Sequence, residues 1–156
     1  MTSEPDKDPQ TKTTERLNEA VKRYPALVPY LPALQFVFFE FYQQGGRVIF
    51  LDHKKSSIIQ PEPLMGKRVV NLHIGVLNRT DYLTVIWAAF HEWGHLKQAP
   101  QTEEIRLNPK FTYEREKDAW AIGEKKLKEF ENLKPLLPQF AAYREMCLKD
   151  YFDKII

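Results

Sequence analysis

The sequence predicts an α+β fold, namely a mainly helical domain with a small, mostly antiparallel sheet that precedes a central apolar helix. Glycine is scarce and proline is frequent, with 6 and 11 of the 156 residues, and few segments have the β-branched and aromatic composition of strands. Most of the other segments place apolar residues three and four positions apart, which is the spacing of one helix face. These two observations favour helices over strands.

The chain has the length of one ordinary domain, and it contains no internal repeat. We expect a disordered segment at residues 1–13 and a single domain at residues 14–156, with a core at about residues 45–133 and a C-terminal helix at residues 139–155. The net charge of +2 is dispersed along the chain, so the composition does not predict a nucleic-acid surface.

The compartment follows from the cysteine count and from the apolar runs. A single cysteine, Cys147, excludes an intramolecular disulfide and is typical of a reducing compartment. Residues 1–14 lack the apolar stretch of a secretory signal, and the longest apolar run, Val85–Phe90, is too short to cross a bilayer. These features predict a cytoplasmic protein without membrane association.

The N-terminal half predicts two helices and up to three strands. A helix capped by Thr14 covers residues 14–24, and a second helix covers residues 32–44 and ends at a Gly-Gly pair. Strands follow at residues 47–51 and 67–76, and the proline-containing loop between them has room for a further strand at residues 57–60.

The C-terminal half predicts three helices. The first covers residues 80–98, with Thr80 or Asp81 as its N-cap. The second begins at Asn108-Pro109, a capping residue followed by proline at the first helical position, and extends to Leu133. The third is the C-terminal helix already described, and the connection between the first two is predicted to be a loop.

The central helix carries His91, Glu92 and His95 in an otherwise apolar sequence. Because the histidines are four residues apart, one helical turn brings both imidazoles to the same side, at the separation that one tetrahedral Zn²⁺ requires. Glu92 points about 100° away around the helix axis, where it can reach a metal-bound water without being a ligand. Burying these groups in an apolar helix is costly unless they have partners, and a metal supplies them. The HExxH pattern therefore predicts zinc bound by His91 and His95, with Glu92 as the catalytic base.

A catalytic zinc takes three protein ligands and keeps one position open for water. No histidine follows at a short spacing, so the third ligand is expected among the carboxylates of the next helix, which are Glu114, Glu116, Asp118 and Glu124. The helical neighbours of Glu116 are uncharged and mostly apolar or small, whereas those of Glu114 and Asp118 include charged residues. We expect Glu116 to be the ligand, with Glu114 and Asp118 as the alternatives.

Two strings of the sequence resemble the motifs of a known family. Residues 91–96 read HEWGHL and residues 116–123 read EKDAWAIG, which is similar to the HExGHL and ExxAxxFA motifs of the ImmA/IrrE family of gluzincin-type zinc metallopeptidases. The resemblance covers about residues 45–125 and implies a minimal zincin-like fold, with Glu116 as the third zinc ligand. The family's Phe-Ala pair reads Ile122-Gly123 here, and no helix-turn-helix pattern flanks the predicted domain.

The chemistry that follows is hydrolysis, with a peptide or protein as the substrate. Glu92 would activate the zinc-bound water that cleaves a peptide bond, and would then protonate the leaving amine. Tyr113 and His73 are candidates for a donor to the substrate carbonyl, and an edge strand within residues 67–76 could bind an extended peptide. Gly94 costs the helix about 1 kcal/mol relative to alanine, which predicts close approach of another backbone, such as the sheet.

Two other interpretations compete with the metallopeptidase. One is a zincin-fold interaction or regulatory module, of the toxin–antitoxin or phage-derived type, without peptidase activity. The other is a structural helical domain in which the HExxH string is accidental. The presence of Glu92 argues against a purely structural zinc site, because such a site needs no base and normally has four protein ligands.

Overall fold

The computed structural model describes residues 7–51, 57–59, 70–75 and 82–155, and these residues are mostly helical, as the sequence predicts. The α-helices are α1 (Pro9–Arg23), α2 (Leu31–Gln43), α3 (Leu83–Lys97), α4 (Glu103–Leu107), α5 (Pro109–Leu127) and α6 (Leu137–Phe152). Two 3-10 helices lie at Pro25–Tyr30 and Glu131–Leu136, and the strands are β1 (Val48–Leu51), β2 (Ser57–Ile59) and β3 (Asn71–Gly75). The chain divides into two compact units, Met1–Ala89 and Phe90–Ile156.

The first helix begins at Pro9 and not at Thr14, so its predicted start was wrong. The side chain of Asp8 accepts a hydrogen bond of 2.8 Å from the Thr11 amide, and Pro9 occupies the first helical position, which together make a complete N-terminus. The Thr14 hydroxyl instead donates to the carbonyl of Gln10 at 3.1 Å, inside the helix. The C-terminal part of the segment predicted to be disordered is therefore helical, and its first six residues lie outside the described part.

The second helix is confirmed, and it packs against α1. Its predicted apolar face, with Leu34, Phe38 and Phe41, is fully buried. The helix ends as expected at the Gly-Gly pair, because Gly45 adopts a φ of 96°, a backbone conformation that other residues rarely take.

The three strands form one small mixed sheet in the order β1-β3-β2. β2 is antiparallel to β3, but β1 and β3 are parallel, with Val48 opposite Leu72, so the prediction of a mostly antiparallel sheet was wrong for this pair. A parallel pair needs a connection of about a dozen residues or more, and the long segment between β1 and β3, which contains β2, supplies it. Of the predicted strand at residues 67–76, residues 67–69 and 76 lie outside the described part.

The helices of the C-terminal half largely follow the prediction. Asn108 caps α5 by accepting from the amide of Lys110 at 3.0 Å, but α5 ends at Leu127 and is followed by a 3-10 helix, so the end predicted at residue 133 was wrong. α4 lies in the segment that was predicted to be a loop, and it is capped by Thr102. The cap expected at Thr80 or Asp81 lies outside the described residues. Within the described ranges, no helix has the length and apolar character needed to cross a membrane.

Candidate metal centre

The candidate site lies where α3 and α5 approach each other closely, within the second unit. A Cβ added at Gly94 would clash with the backbone of Ala119, and one added at Gly123 would stand 2.6 Å from the carbonyl oxygen of Phe90. Glycine at these two positions therefore lets the two helices approach more closely than side chains would allow. The partner of Gly94 is α5, which corrects the expectation that it would be a backbone such as the sheet.

Two imidazole nitrogens and one carboxylate oxygen converge at this crossing. Nε2 of His91 lies 2.7 Å from Oε2 of Glu116, and Nε2 of His95 lies 3.1 Å from the same oxygen. Of the predicted carboxylates, Glu116 is thus the one that contacts both histidines. Asp118 instead accepts from the side chain of Gln98 at 2.9 Å, and Glu124 pairs with Arg144 at 3.3 Å, while Glu114 is exposed.

Glu92 belongs to the same cluster but contacts a different atom. Its Oε1 lies 3.2 Å from Nδ1 of His91, on the opposite edge of the ring from Glu116. One carboxylate oxygen of Glu92 and one ring nitrogen from each histidine lie within 4.8 Å of one another, so His91, Glu92 and His95 form a group that could hold a metal ion. Glu92 and His95 are buried, with 4% and 7% of their surface exposed.

The two possible donor sets, with Glu92 or with Glu116, differ in geometry. The two nitrogens of an imidazole point to opposite edges of the ring, so an ion held by Nε2 of both histidines lies on the side of Glu116. Oε2 of Glu116 lies 2.7 and 3.1 Å from these two nitrogens, which is closer than the 3.2 Å between Oε1 of Glu92 and Nδ1 of His91. We therefore favour the set with Glu116 as the metal-binding one, with Glu92 directly beside it.

His91 and Glu116 each shift the pKa of the other. Burial by itself would lower the pKa of His91, but hydrogen bonding to Glu116 and to Glu92 outweighs it and raises the pKa to about 9. Burial would likewise raise the pKa of Glu116, but its hydrogen bonds to His91 and His95 lower the pKa to about 2. Without a metal, His91 is therefore protonated at neutral pH and forms an ion pair with Glu116.

Neighbouring side chains hold both imidazoles. The ring of His91 stacks on the indole of Trp120, with 4.1 Å between the ring centroids and 5° between the planes. Nδ1 of His95 lies 2.7 Å from Oε1 of Gln98, whose amide nitrogen donates to Asp118 and to the carbonyl of Arg115, each at 2.9 Å. Gln98 was not predicted from the sequence, although a residue three positions after His95, at the end of a helix, is close enough to contact it.

α6 contributes Tyr151, a second residue that the sequence reasoning missed. On α5, Trp120 makes an edge-to-face contact with Phe140, near the start of α6, and Tyr113 makes one with Phe152, near the end of α6. The helices α5 and α6 therefore run antiparallel. Tyr151, the residue before Phe152, is hydrogen-bonded to Glu116. Burial, together with the charges of Glu116 and Glu92 and hydrogen bonding to Glu116, raises the pKa of Tyr151.

The two donors suggested by the sequence, Tyr113 and His73, lie on α5 and β3. Tyr113 packs on Phe152, with 5.6 Å between the ring centroids, and the ammonium of Lys117 lies 5.6 Å from its ring. His73 lies in β3, in the first unit, and its role stays a prediction. The signal for Tyr151 was its helical spacing from other apolar residues of α6, which indicates packing but not the identity of the partner.

Comparison of the chain with protein-family models, with curated proteins and with solved structures gives no match. The resemblance to the ImmA/IrrE family and the zincin-like fold therefore stay predictions.

Proposed function

We propose that this protein is a zinc-dependent hydrolase, and specifically a metallopeptidase. The observation that supports this most directly is the convergence of Nε2 of His91, Nε2 of His95 and Oε2 of Glu116, with the buried carboxylate of Glu92 beside them. A site that has three ligands and an adjacent unligated carboxylate is typical of hydrolytic zinc, because the fourth position stays open.

The donor set fits a zinc ion. With metal–ligand bonds of about 2.0–2.1 Å, the donor atoms of a tetrahedral site stand about 3.3 Å apart. Glu116 lies 2.7 Å from His91 and 3.1 Å from His95, so the donors would separate by a few tenths of an ångström to admit the ion.

A zinc ion in this position would supply a Lewis acid that polarises a peptide carbonyl and lowers the pKa of a coordinated water. Glu92 then accepts the proton of the attacking water and donates it to the leaving amine, which requires its carboxylate to rotate away from Nδ1 of His91. Tyr151, beside Glu116 and Glu92, replaces Tyr113 as the donor to the carbonyl oxygen. Glu116 would hold the ion together with His91 and His95.

The substrate that we propose is a peptide or protein, and the compartment is the cytoplasm. The peptidase class follows from the resemblance of the two motif strings to the ImmA/IrrE family, and the reducing compartment from the single cysteine.

One observation favours a second candidate, a metal-binding interaction module without peptidase activity. Glu92 contacts Nδ1 of His91, and a carboxylate in that position orients a metal-binding histidine without taking part in catalysis. In such a module Glu92 would affect metal affinity and would have no role in turnover.

Replacing Glu92 by glutamine separates the two candidates. For the peptidase, we expect Glu92→Gln to retain one bound zinc and to lose hydrolysis by about 100-fold or more, because the general base is removed. The measurement is cleavage of a mixed peptide library followed by mass spectrometry, with zinc content determined by elemental analysis. Glu114→Gln, at an exposed carboxylate of α5, is the matched control and should keep full activity. Full hydrolysis by Glu92→Gln would refute the mechanism. The interaction module would be favoured if the wild-type protein hydrolyses no peptide and Glu92→Gln binds zinc more weakly than wild type.

A further inference from the structure

We propose that Gln98 is a positioning residue of the metal centre, which holds His95 in the tautomer that presents the Nε2 lone pair to the metal. The inference rests on the proposed function, since it requires that His95 binds a metal. It concerns a residue just beyond the end of α3 that neither motif string contains.

The orientation of the Gln98 amide is determined by two acceptors on α5. Its Nε2 lies 2.9 Å from the carbonyl oxygen of Arg115 and 2.9 Å from Oδ2 of Asp118. A backbone carbonyl and an ionised carboxylate can only accept hydrogen bonds, so the amide nitrogen must face them. The flipped amide would place its oxygen against two other acceptors, which is unfavourable in a side chain that is only 9% exposed.

This orientation in turn determines the tautomer of His95. The Gln98 oxygen then faces Nδ1 of His95 at 2.7 Å, and because an amide oxygen only accepts, Nδ1 must carry the proton. In the neutral imidazole the other nitrogen, Nε2, therefore has a free lone pair. Nε2 lies 3.1 Å from Oε2 of Glu116, so a metal ion between the two atoms would take the place of the proton that forms their hydrogen bond in the metal-free site.

The network also connects the two helices that supply the ligands. Arg115 and Asp118 lie on α5 on either side of Glu116, and Gln98 follows α3, which carries His95. The hydrogen bonds therefore fix the position of the His95 ring relative to the helix that carries the third ligand. Removing an outer hydrogen-bond partner of a metal-binding histidine typically weakens metal binding about 10–100-fold.

The test compares Gln98→Leu with wild type and with the control Gln101→Leu, which changes an exposed glutamine three residues further along the chain. Zinc affinity is measured by competition with a chromophoric chelator, and the tautomer of His95 by the ¹⁵N chemical shifts of its ring in the metal-free protein. We expect wild type and the control to show a protonated Nδ1, and Gln98→Leu to show a mixture of tautomers and zinc binding weakened about 10–100-fold.

A rescue distinguishes positioning from general structural support. Gln98→Glu keeps an acceptor for His95 but places a carboxylate oxygen against Oδ2 of Asp118 and the carbonyl oxygen of Arg115, so we expect weakened zinc binding. Adding Asp118→Asn supplies a donor to that oxygen, and the double variant should bind zinc more tightly than Gln98→Glu alone. This comparison also decides the question if Gln98→Leu does not fold.

The results that would overturn the proposed function differ from those that would overturn the role of Gln98. Wild-type protein that binds no zinc would overturn the proposed function. Wild-type protein that binds zinc, with unchanged affinity and an unchanged His95 tautomer in Gln98→Leu, would overturn only the role of Gln98. The same holds if the double variant binds zinc no better than Gln98→Glu.

Discussion

Without zinc, the stability of this protein should fall as the pH rises above 6.5, and excess zinc should abolish that fall. Without a metal, hydrogen bonding to Glu116 and Glu92 outweighs the effect of burial on His91 and raises its pKa from 6.5 to about 9. Hydrogen bonds to His91 and His95 likewise outweigh the effect of burial on Glu116 and lower its pKa from 4.5 to about 2. Both shifts report mainly the same His91–Glu116 contact, so its contribution is counted once.

The sign follows from linkage. A pKa that is raised in the folded state contributes stability that is fully present below the unfolded value of 6.5 and is lost as the pH rises towards 9. The lowered pKa of Glu116 contributes stability that is present above 4.5 and is lost as the pH falls towards 2. The metal-free protein should therefore be most stable between pH 4.5 and 6.5. Between pH 6.5 and 9, its free energy of unfolding should fall by about 3 kcal/mol, at 1.36 kcal/mol for each pKa unit.

Excess zinc should cancel this dependence above pH 6.5. A histidine binds a metal only when it is deprotonated, so zinc competes with the proton of His91. The apparent zinc affinity should rise by up to about tenfold for each pH unit, and bound zinc stabilises the folded state in proportion to the logarithm of that affinity. With zinc in excess, the gain in zinc affinity offsets the loss of metal-free stability, so the free energy of unfolding should change little between pH 6.5 and 9.

Urea unfolding followed by circular dichroism measures the free energy of unfolding in both conditions, with a chelator at pH 5 to 9 and with excess zinc at pH 6 to 8. His91→Gln is the control, because it removes the titrating ring and should flatten the metal-free curve above pH 6.5. Metal-free stability that stays constant or rises between pH 6.5 and 9 would refute the His91–Glu116 ion pair. Stability that falls with pH equally in the presence of the chelator and of zinc would refute zinc binding at this site.

Two further predictions concern the crossing of α3 and α5 and the donor from α6. Gly94→Ala should lower the free energy of unfolding by about 2 kcal/mol and abolish zinc binding, because the new methyl group meets the Ala119 backbone and this overpacking outweighs a gain of about 1 kcal/mol in helix propensity. Chemical denaturation and zinc analysis measure the two effects, and a variant more stable than wild type would contradict the prediction. Tyr151→Phe, measured with zinc bound, should lower kcat about 100-fold, because one donor to the carbonyl oxygen is lost. Tyr143→Phe on the same helix is the control, and unchanged kinetics in Tyr151→Phe would exclude the donor role.

Features of the site and fold that depend on local sequence could be predicted. The position of α3 follows from an uninterrupted apolar pattern, and the start of α5 from Asn108-Pro109. The contact of Glu116 with both histidines agrees with a choice made from helical neighbours alone, because the same uncharged face that packs on α3 carries the carboxylate.

Features that depend on distant parts of the chain could not. The parallel pairing of β1 with β3 depends on how the long connection is routed, and the alternating pattern of each strand is the same for either direction. Tyr151 reaches the site only because α6 packs antiparallel to α5, and its spacing in the sequence indicates only that its face is buried. The role of Gln98 depends on which atom of its amide faces which acceptor, and no sequence pattern encodes this.

The small residues of the two motif strings have a physical explanation in the helix crossing. In HEWGH the glycine is Gly94, and in EKDA the alanine is Ala119, and these two residues are in contact. Helices packed through ordinary side chains lie about 8–10 Å apart, and this contact, which leaves no room for a Cβ at position 94, brings α3 and α5 closer. Glu116 precedes Ala119 by less than one turn, while His91 and His95 lie on either side of Gly94, so the contact brings the carboxylate opposite both imidazoles. Gly123, where the resembling family has alanine, keeps a second close approach, to the carbonyl of Phe90. The spacing from glycine to histidine and from glutamate to alanine therefore specifies a donor geometry, which is why the two strings together predict the site better than HExxH alone.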